Sequence, residues 1–243
     1  MSRRGLDGLR RPIPPAFSRL LSPEGQMTVY LLNPNSSETT TEAMTAIARA
    51  EAPSLSIIGL TAPFGPSMIT DEEGLSVGAE AVSALARTIL DRGDARAVIV
   101  AAFGDPGIEA VRTLHPNLPA AGIGEASFAE ANADGRRFAV ATTTPGLVAA
   151  IAERVRRFGH EPNFLGTVLT EGDPHALVSS PEHLAAALHE ACRRARDELG
   201  AEAVIIGGGP LAEAAETLSG RLSIPIVAPV RAAARQIARA LSR

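Results

Sequence analysis

From Met27 onward the chain alternates short apolar runs with longer segments of helical period. The runs are TVYLLN, LSIIGLTA, AVIVAAF, AAGIG, RFAVATT, NFLGTVL, AVIIGGG and PIVAP. Between them lie amphipathic stretches such as SETTTEAMTAIARAEA, EEGLSVGAEAVSALARTILDRG and SPEHLAAALHEACRRARDELG. Apolar runs without strict alternation predict strands buried on both faces, as parallel strands are when helices cross over them. The pattern predicts a doubly wound α/β fold.

The pattern also repeats. TVYLLNPNSSETTTEAMTAI and RFAVATTTPGLVAAIAERV share one plan of strand, polar loop and helix; AVIVAAFGDPGIEAV is echoed by AVIIGGGPLAEAA. Two similar parallel-sheet α/β halves related by pseudo-twofold symmetry are therefore expected. Ligands of open α/β sheets bind beyond the carboxyl ends of strands, so a pocket is expected between the halves. The first half is expected to span 27–121 and 226–243, with the helix at 229–242 packing back on it, and the second half 122–225. Residues 1–26, rich in Arg, Pro and Gly, read as an N-terminal extension. No apolar core follows their arginines as it would in a secretory signal.

Composition narrows the chemistry. A net charge of -4 and a pI near 5.8 argue against a nucleic-acid partner. No run approaches the roughly 18 apolar residues of a membrane span. The single cysteine, Cys192, permits no internal disulfide and fits a reducing cytoplasm. All 23 basic residues are arginine. The absence of lysine removes Schiff-base chemistry, including pyridoxal phosphate, and the Walker lysine.

Four turns carry the candidate ligand groups. The segment Asn33 to Ser37 and the run Thr142, Thr143, Thr144 both place small polar side chains before a helix, where free N–H groups suit an anion or an imide oxygen. Each also fits a plain cap: Asn35 with Glu38 matches a capping box, and Thr144 precedes Pro145. Asp105 reads as a general base or, more simply, a cap. Glu125 follows a short strand and is a second candidate acid–base group. Thr70 with Glu73 matches another capping box. The five histidines, His175 among them, lack metal-ligand spacing, so no metal is expected. Cys192 shares a helix face with Leu184, Leu188, Ala195 and Leu199 and reads as a buried structural thiol.

LLNPNSS, FGPSMITDEEG, AAFGDPGIEAVR, GIGEAS, VATT, IIGGGPLA and IPIVAPVRAA, in that order from about residue 28 to 235, resemble the aspartate/glutamate/hydantoin racemase superfamily, and its hydantoin racemase branch most. The resemblance implies a cofactor-free, homo-oligomeric isomerase in which two facing cysteines exchange the α-proton of a small carboxylate, amide or hydantoin-like ligand. It places those cysteines at Ala102 and Gly208, and ligand-binding positions at Asn33, Ser36, Thr142 and Thr143; the glycine-rich turn at 207–209 can bring the backbone N–H groups of Gly208 and Gly209 close to the same ligand. Proton transfer would then fall to non-cysteine groups, with Asp105 and Glu125 as candidates and His175 or a positioned water behind them. A lyase or decarboxylase on the same scaffold and a non-catalytic binding homologue are the alternatives.

Overall fold

The computed structural model describes residues 28–90 and 92–242; the extension expected at 1–26 lies outside the described residues. Strands β1 (Thr28–Asn33), β2 (Ser56–Thr61), β3 (Ala95–Val100) and β4 (Ala120–Gly122) form one sheet in the order β2-β1-β3-β4. Strands β5 (Phe138–Thr142), β6 (Phe164–Leu169), β7 (Ala203–Ile206) and β8 (Ile226–Val227) form the other in the matching order β6-β5-β7-β8. Every pairing is parallel. Each of the eight apolar runs contains one strand, and the shared strand order is the structural form of the sequence repeat.

The helices are α1 (Glu38–Glu51), α2 (Glu72–Leu90), α3 (Ile108–Leu114), α4 (Ile123–Ala131), α5 (Val148–Arg157), α6 (Pro174–Val178), α7 (Pro181–Leu199), α8 (Ala212–Leu218) and α9 (Pro229–Leu241). The strands read as continuous apolar runs because both faces of each sheet are covered. On β1, Val29 and Leu31 enter one core while Tyr30 and Leu32 enter another; on β5, Phe138 and Val140 part from Ala139 and Ala141 in the same way. The outer faces pack separately, one under α2 and α3 and the other under α7 and α8. The inner faces of both sheets share a single core with α1, α4, α5 and α9, in which Ile99, Phe128, Phe138, Ile205 and Ile237 are buried.

Helix α9 packs against α1, α4, β3 and β4. Its alanine-rich stripe lets it lie close, and its arginines hold it from the sides. Arg231 pairs with Glu216 of α8 and, at 3.0 Å, with Glu51 of α1. Arg235 reaches Glu51 at 2.8 Å and Glu130 of α4 at 2.7 Å. These pairs are partly exposed, so they fix orientation more than they add stability.

Two expected caps move by one or two residues. Ser37, not Asn35, caps α1 by accepting from Thr40 N–H at 3.2 Å. Asp71, not Thr70, accepts from Gly74 N–H at 2.8 Å at the start of α2. In both cases the residue directly before the helix has the shorter reach to its first free amides.

Candidate functional site

The carboxyl ends of β1, β3, β5 and β7 converge on one small cavity between the halves. Asn35 lines it from the turn after β1, Ala102 and Phe103 from the turn after β3, Thr143 and Thr144 from the turn after β5, and Gly208 and Gly209 from the turn after β7. Leu147, Pro210 and Leu211 extend the wall, and Met68 and Ile69 close it from the loop between β2 and α2. The enclosed volume is only about 30 Å³, enough for a water or two. Among the described residues, no lining side chain is ionisable.

Ala102 and Gly208, predicted to face one another, therefore meet at the same cavity. The two polar turns reach it too, the first through Asn35 rather than Asn33 or Ser36, the second through Thr143 and its neighbour Thr144. Asn33 is fully buried and occupied: its amide Nδ2 donates to Asn35 Oδ1 at 2.8 Å and to Thr41 Oγ1 at 2.9 Å. Ser36 faces out, and its hydroxyl donates to Gly65 O at 3.0 Å. Thr142 is also fully buried, with its hydroxyl 3.0 Å from that of Thr144. Asn33, Ser36 and Thr142 thus build the turns, and Asn35, Thr143 and Thr144 present them. Gly208 and Gly209 also line the cavity.

The orientation of Asn35 follows from its bonds. Its Oδ1 accepts from Ser37 N–H at 3.0 Å and from Asn33, which leaves its NH2 group without an acceptor among the described residues. The Thr143 hydroxyl is likewise free of partners among them. Two side chains with uncommitted donors thus line the cavity, one from each half. Beyond them, the single-turn helices that open after Thr144 and after Gly208 begin at the cavity wall.

The two candidate carboxylates lie elsewhere. Asp105 is fully buried, with φ +49, and its oxygens accept from Gly124 N–H at 2.8 Å and Glu125 N–H at 2.7 Å. It is a cap, but of α4 rather than of the helix that follows it in sequence. Burial pushes its carboxyl up to about 7 against the pull of those two amides. Glu125 pairs with Arg112 at 2.6 Å and lines a separate groove with Glu130, Arg136, His160 and Arg235. His175 is exposed on α6. None of the three lines the cavity, so Asp105 and Glu125, the acid–base candidates of the sequence, stand apart from it. The sequence reading included Asn35 in the first polar turn without singling it out from Asn33 and Ser36, and it missed Met68 and Ile69 on the wall.

The model of the Asp/Glu/hydantoin racemase family matches residues 29–237. The chain belongs to the Asp/Glu/hydantoin racemase family. A hydantoin racemase of Paenarthrobacter aurescens is 30% identical over 222 residues, covering 86% of this chain and 89% of that protein. Another, from Pseudomonas sp. (strain NS671), is 27% identical over 207 residues, covering 83% and 80% respectively. Among solved structures, allantoin racemase from Klebsiella pneumoniae superposes with a TM-score of 0.82 at 27% identity, over 89% of this chain and 88% of that one. Allantoin racemase from Pseudomonas fluorescens gives 0.81 at 29%, over 89% and 91%. Arylmalonate decarboxylase, at 21% identity, shares the fold.

On this racemase-family scaffold the single cysteine stays away from the cavity. Cys192 is fully buried under the outer face of the second sheet, and burial pushes its thiol up to about 12. At neutral pH it carries no thiolate for chemistry. Cys192→Ala is expected to cost about 1 kcal/mol of stability as a lost buried contact and to leave ligand binding unchanged, as isothermal calorimetry on a cognate ligand would show. Position 208 is also poorly shaped for a side chain. Gly208 has φ +155, and a Cβ there would meet the Leu211 side chain at 3.0 Å.

Proposed function

We propose that this chain is a cofactor-independent isomerase of the racemase type, acting at the α-carbon of a small carboxylate, amide or hydantoin held between the two sheets. The observation that carries the reading is that Asn35 and Thr143, whose Nδ2 and Oγ1 donors are uncommitted among the described residues, line a cavity that no ionisable side chain among those residues lines. Donors aimed at a carbonyl oxygen stabilise the enolate formed when the α-proton leaves. Without a thiol or carboxylate on the wall, water in the cavity takes and returns the proton. Met68, Ile69, Phe103, Leu147 and Leu211 suit an apolar substituent on the ligand. Entry requires the Met68–Ile69 segment or Phe103 to yield, since about 30 Å³ admits no such molecule.

Lack of lysine supports a route without a Schiff base. Lack of an ionisable wall favours a second reading, a binding homologue that performs no chemistry. Deuterium exchange separates them. Enantiopure 5-methylhydantoin in heavy water is expected to exchange its α-proton and lose optical rotation faster with the protein than without it. Binding with no acceleration establishes the second reading and sinks the first. In either case Asn35→Ala and Thr143→Ala are each expected to weaken binding about 10- to 150-fold, the result of losing about 1.5–3 kcal/mol from a desolvated donor. Unchanged affinity in both variants would put the ligand elsewhere.

A further inference from the structure

Asp105 occupies a place that the reaction just described leaves unexplained. It sits two residues after Phe103 on the turn that follows β3, yet its side chain is spent on another element. The two carboxylate oxygens each take one N–H at the start of α4, from Gly124 and Glu125. Room for it exists only because residues 122 and 124 are glycine. A Cβ on Gly122 would lie 2.2 Å from the carboxylate carbon, and one on Gly124 would lie 2.8 Å from an oxygen. The backbone of Asp105 is held in the left-handed region, and its N–H donates to Ala102 O at 3.0 Å. The carboxylate thus ties the turn bearing Ala102 and Phe103 to α4.

Phe103 carries the connection across to the other sheet. Its ring packs edge-on against Phe128 of α4 with centroids 5.5 Å apart. On its other side it covers Gly207, where a Cβ would be 2.7 Å from the ring. Gly207 leads directly into Gly208 and Gly209 of the cavity wall. One contact chain therefore runs from the α4 amides through Asp105 and Phe103 to the turn after β7.

We propose that Asp105 is a positioning residue whose carboxylate, clamped on the α4 amides, sets the packing of Phe103 on Gly207 and so the shape of the cavity between the sheets. The inference rests on the reading that this cavity is the functional site. A proton on Asp105 removes the charged acceptor from one of the two amides and relaxes the clamp. The charged groups facing the carboxyl are Glu125 on α4, itself paired with Arg112 of α3, and Arg154 on α5. Among the described residues Arg154 makes no ion pair and its buried Nη1 has no hydrogen-bond partner, so no direct pair from it competes with the clamp. Burial holds the carboxyl near neutrality, within the range where solution pH changes its charge.

The test needs no substrate, so its outcome is independent of whether the proposed reaction occurs. The full chain, labelled with ¹⁵N and ¹³C, is titrated between pH 5.5 and 8.5. The carboxyl carbon of Asp105 is followed together with the amides of Gly124, Glu125 and Gly207 to Gly209. All are expected to move with one shared midpoint near 7, and Asp105→Asn is expected to abolish the step at every amide. A purely structural role would leave the glycines of the wall still. If Gly207 to Gly209 stay fixed while Gly124 and Glu125 titrate, the coupling is refuted. A flat Asp105 carboxyl, or a step that survives in Asp105→Asn and so belongs to His160 in the neighbouring groove, refutes it equally. Should Asp105→Asn fail to fold, the wild-type comparison of carboxyl and wall midpoints still decides.

Discussion

Gly122→Ala is expected to remove about 3–9 kcal/mol of stability, a large share of what a domain of this size ordinarily has. The new methyl would lie 2.2 Å from the Asp105 carboxylate carbon and within 2.6 Å of both its oxygens. The carboxylate has nowhere to retreat, because it is fully buried and held by two backbone amides. Displacing it leaves both amides unpaired, at about 1–3 kcal/mol each, and adds the strain of an overpacked core, again about 1–3 kcal/mol. Urea unfolding measures the loss. Repeating the substitution in an Asp105→Gly background should cost much less, since the colliding group is then absent. An equal cost in both backgrounds would show that Gly122 is required for some other reason.

The second large effect is a pH dependence with an unusual sign for a carboxylate. Desolvation outweighs the two amide bonds, so Asp105 holds its proton up to about 7 in the folded chain, against an ordinary value of 3.8. Its contribution to stability is full below pH ~4 and is lost as pH rises through ~7, because only the unfolded chain ionises freely in between. The gap corresponds to about 4 kcal/mol. Ionisation strengthens the local clamp and still lowers overall stability. Unfolding free energies of the wild type relative to Asp105→Asn should therefore fall between pH 5 and 7.5. A difference that stays constant across that range would mean Asp105 is already charged at pH 5.

The strands were legible from apolar runs because helices cover both outer faces while the inner faces share one core, which removes the alternation of a half-exposed sheet. The duplication was legible because each half reuses the same strand order. Side-chain direction within a turn was not. Asn33 and Asn35 differ by two positions and look interchangeable in sequence. Only the hydrogen bonds show that Asn33 spends its amide donors within the turn while Asn35 keeps its own uncommitted. The same holds for Thr142, turned into the fold, and Thr143, turned to the cavity.

Asp105 shows a different limit. It looks like a catalytic carboxylate or a cap of α3, but its partners lie on α4, nearly twenty residues further along. The signal available was the pair of glycines in GIGEAS, which leaves a recess before a helix. Its occupant was invisible without the fold. Glu125 misled for a related reason: a residue in the first turn of a helix can face either way, and this one faces Arg112.

The most direct measurement concerns where a ligand sits, because a larger groove competes with the inter-sheet cavity. That groove, of about 690 Å³, runs between α7 and α8 and is lined by Glu182, His189, Glu213 and Arg221 among others. Amide spectra of the ¹⁵N-labelled protein recorded with increasing 5-methylhydantoin locate the site. The account predicts that the Asn35 side-chain amide and the backbone amides of Thr143, Gly208 and Gly209 shift first and saturate together. Shifts confined to the α7–α8 groove, with Asn35 and Thr143 unmoved, would contradict it.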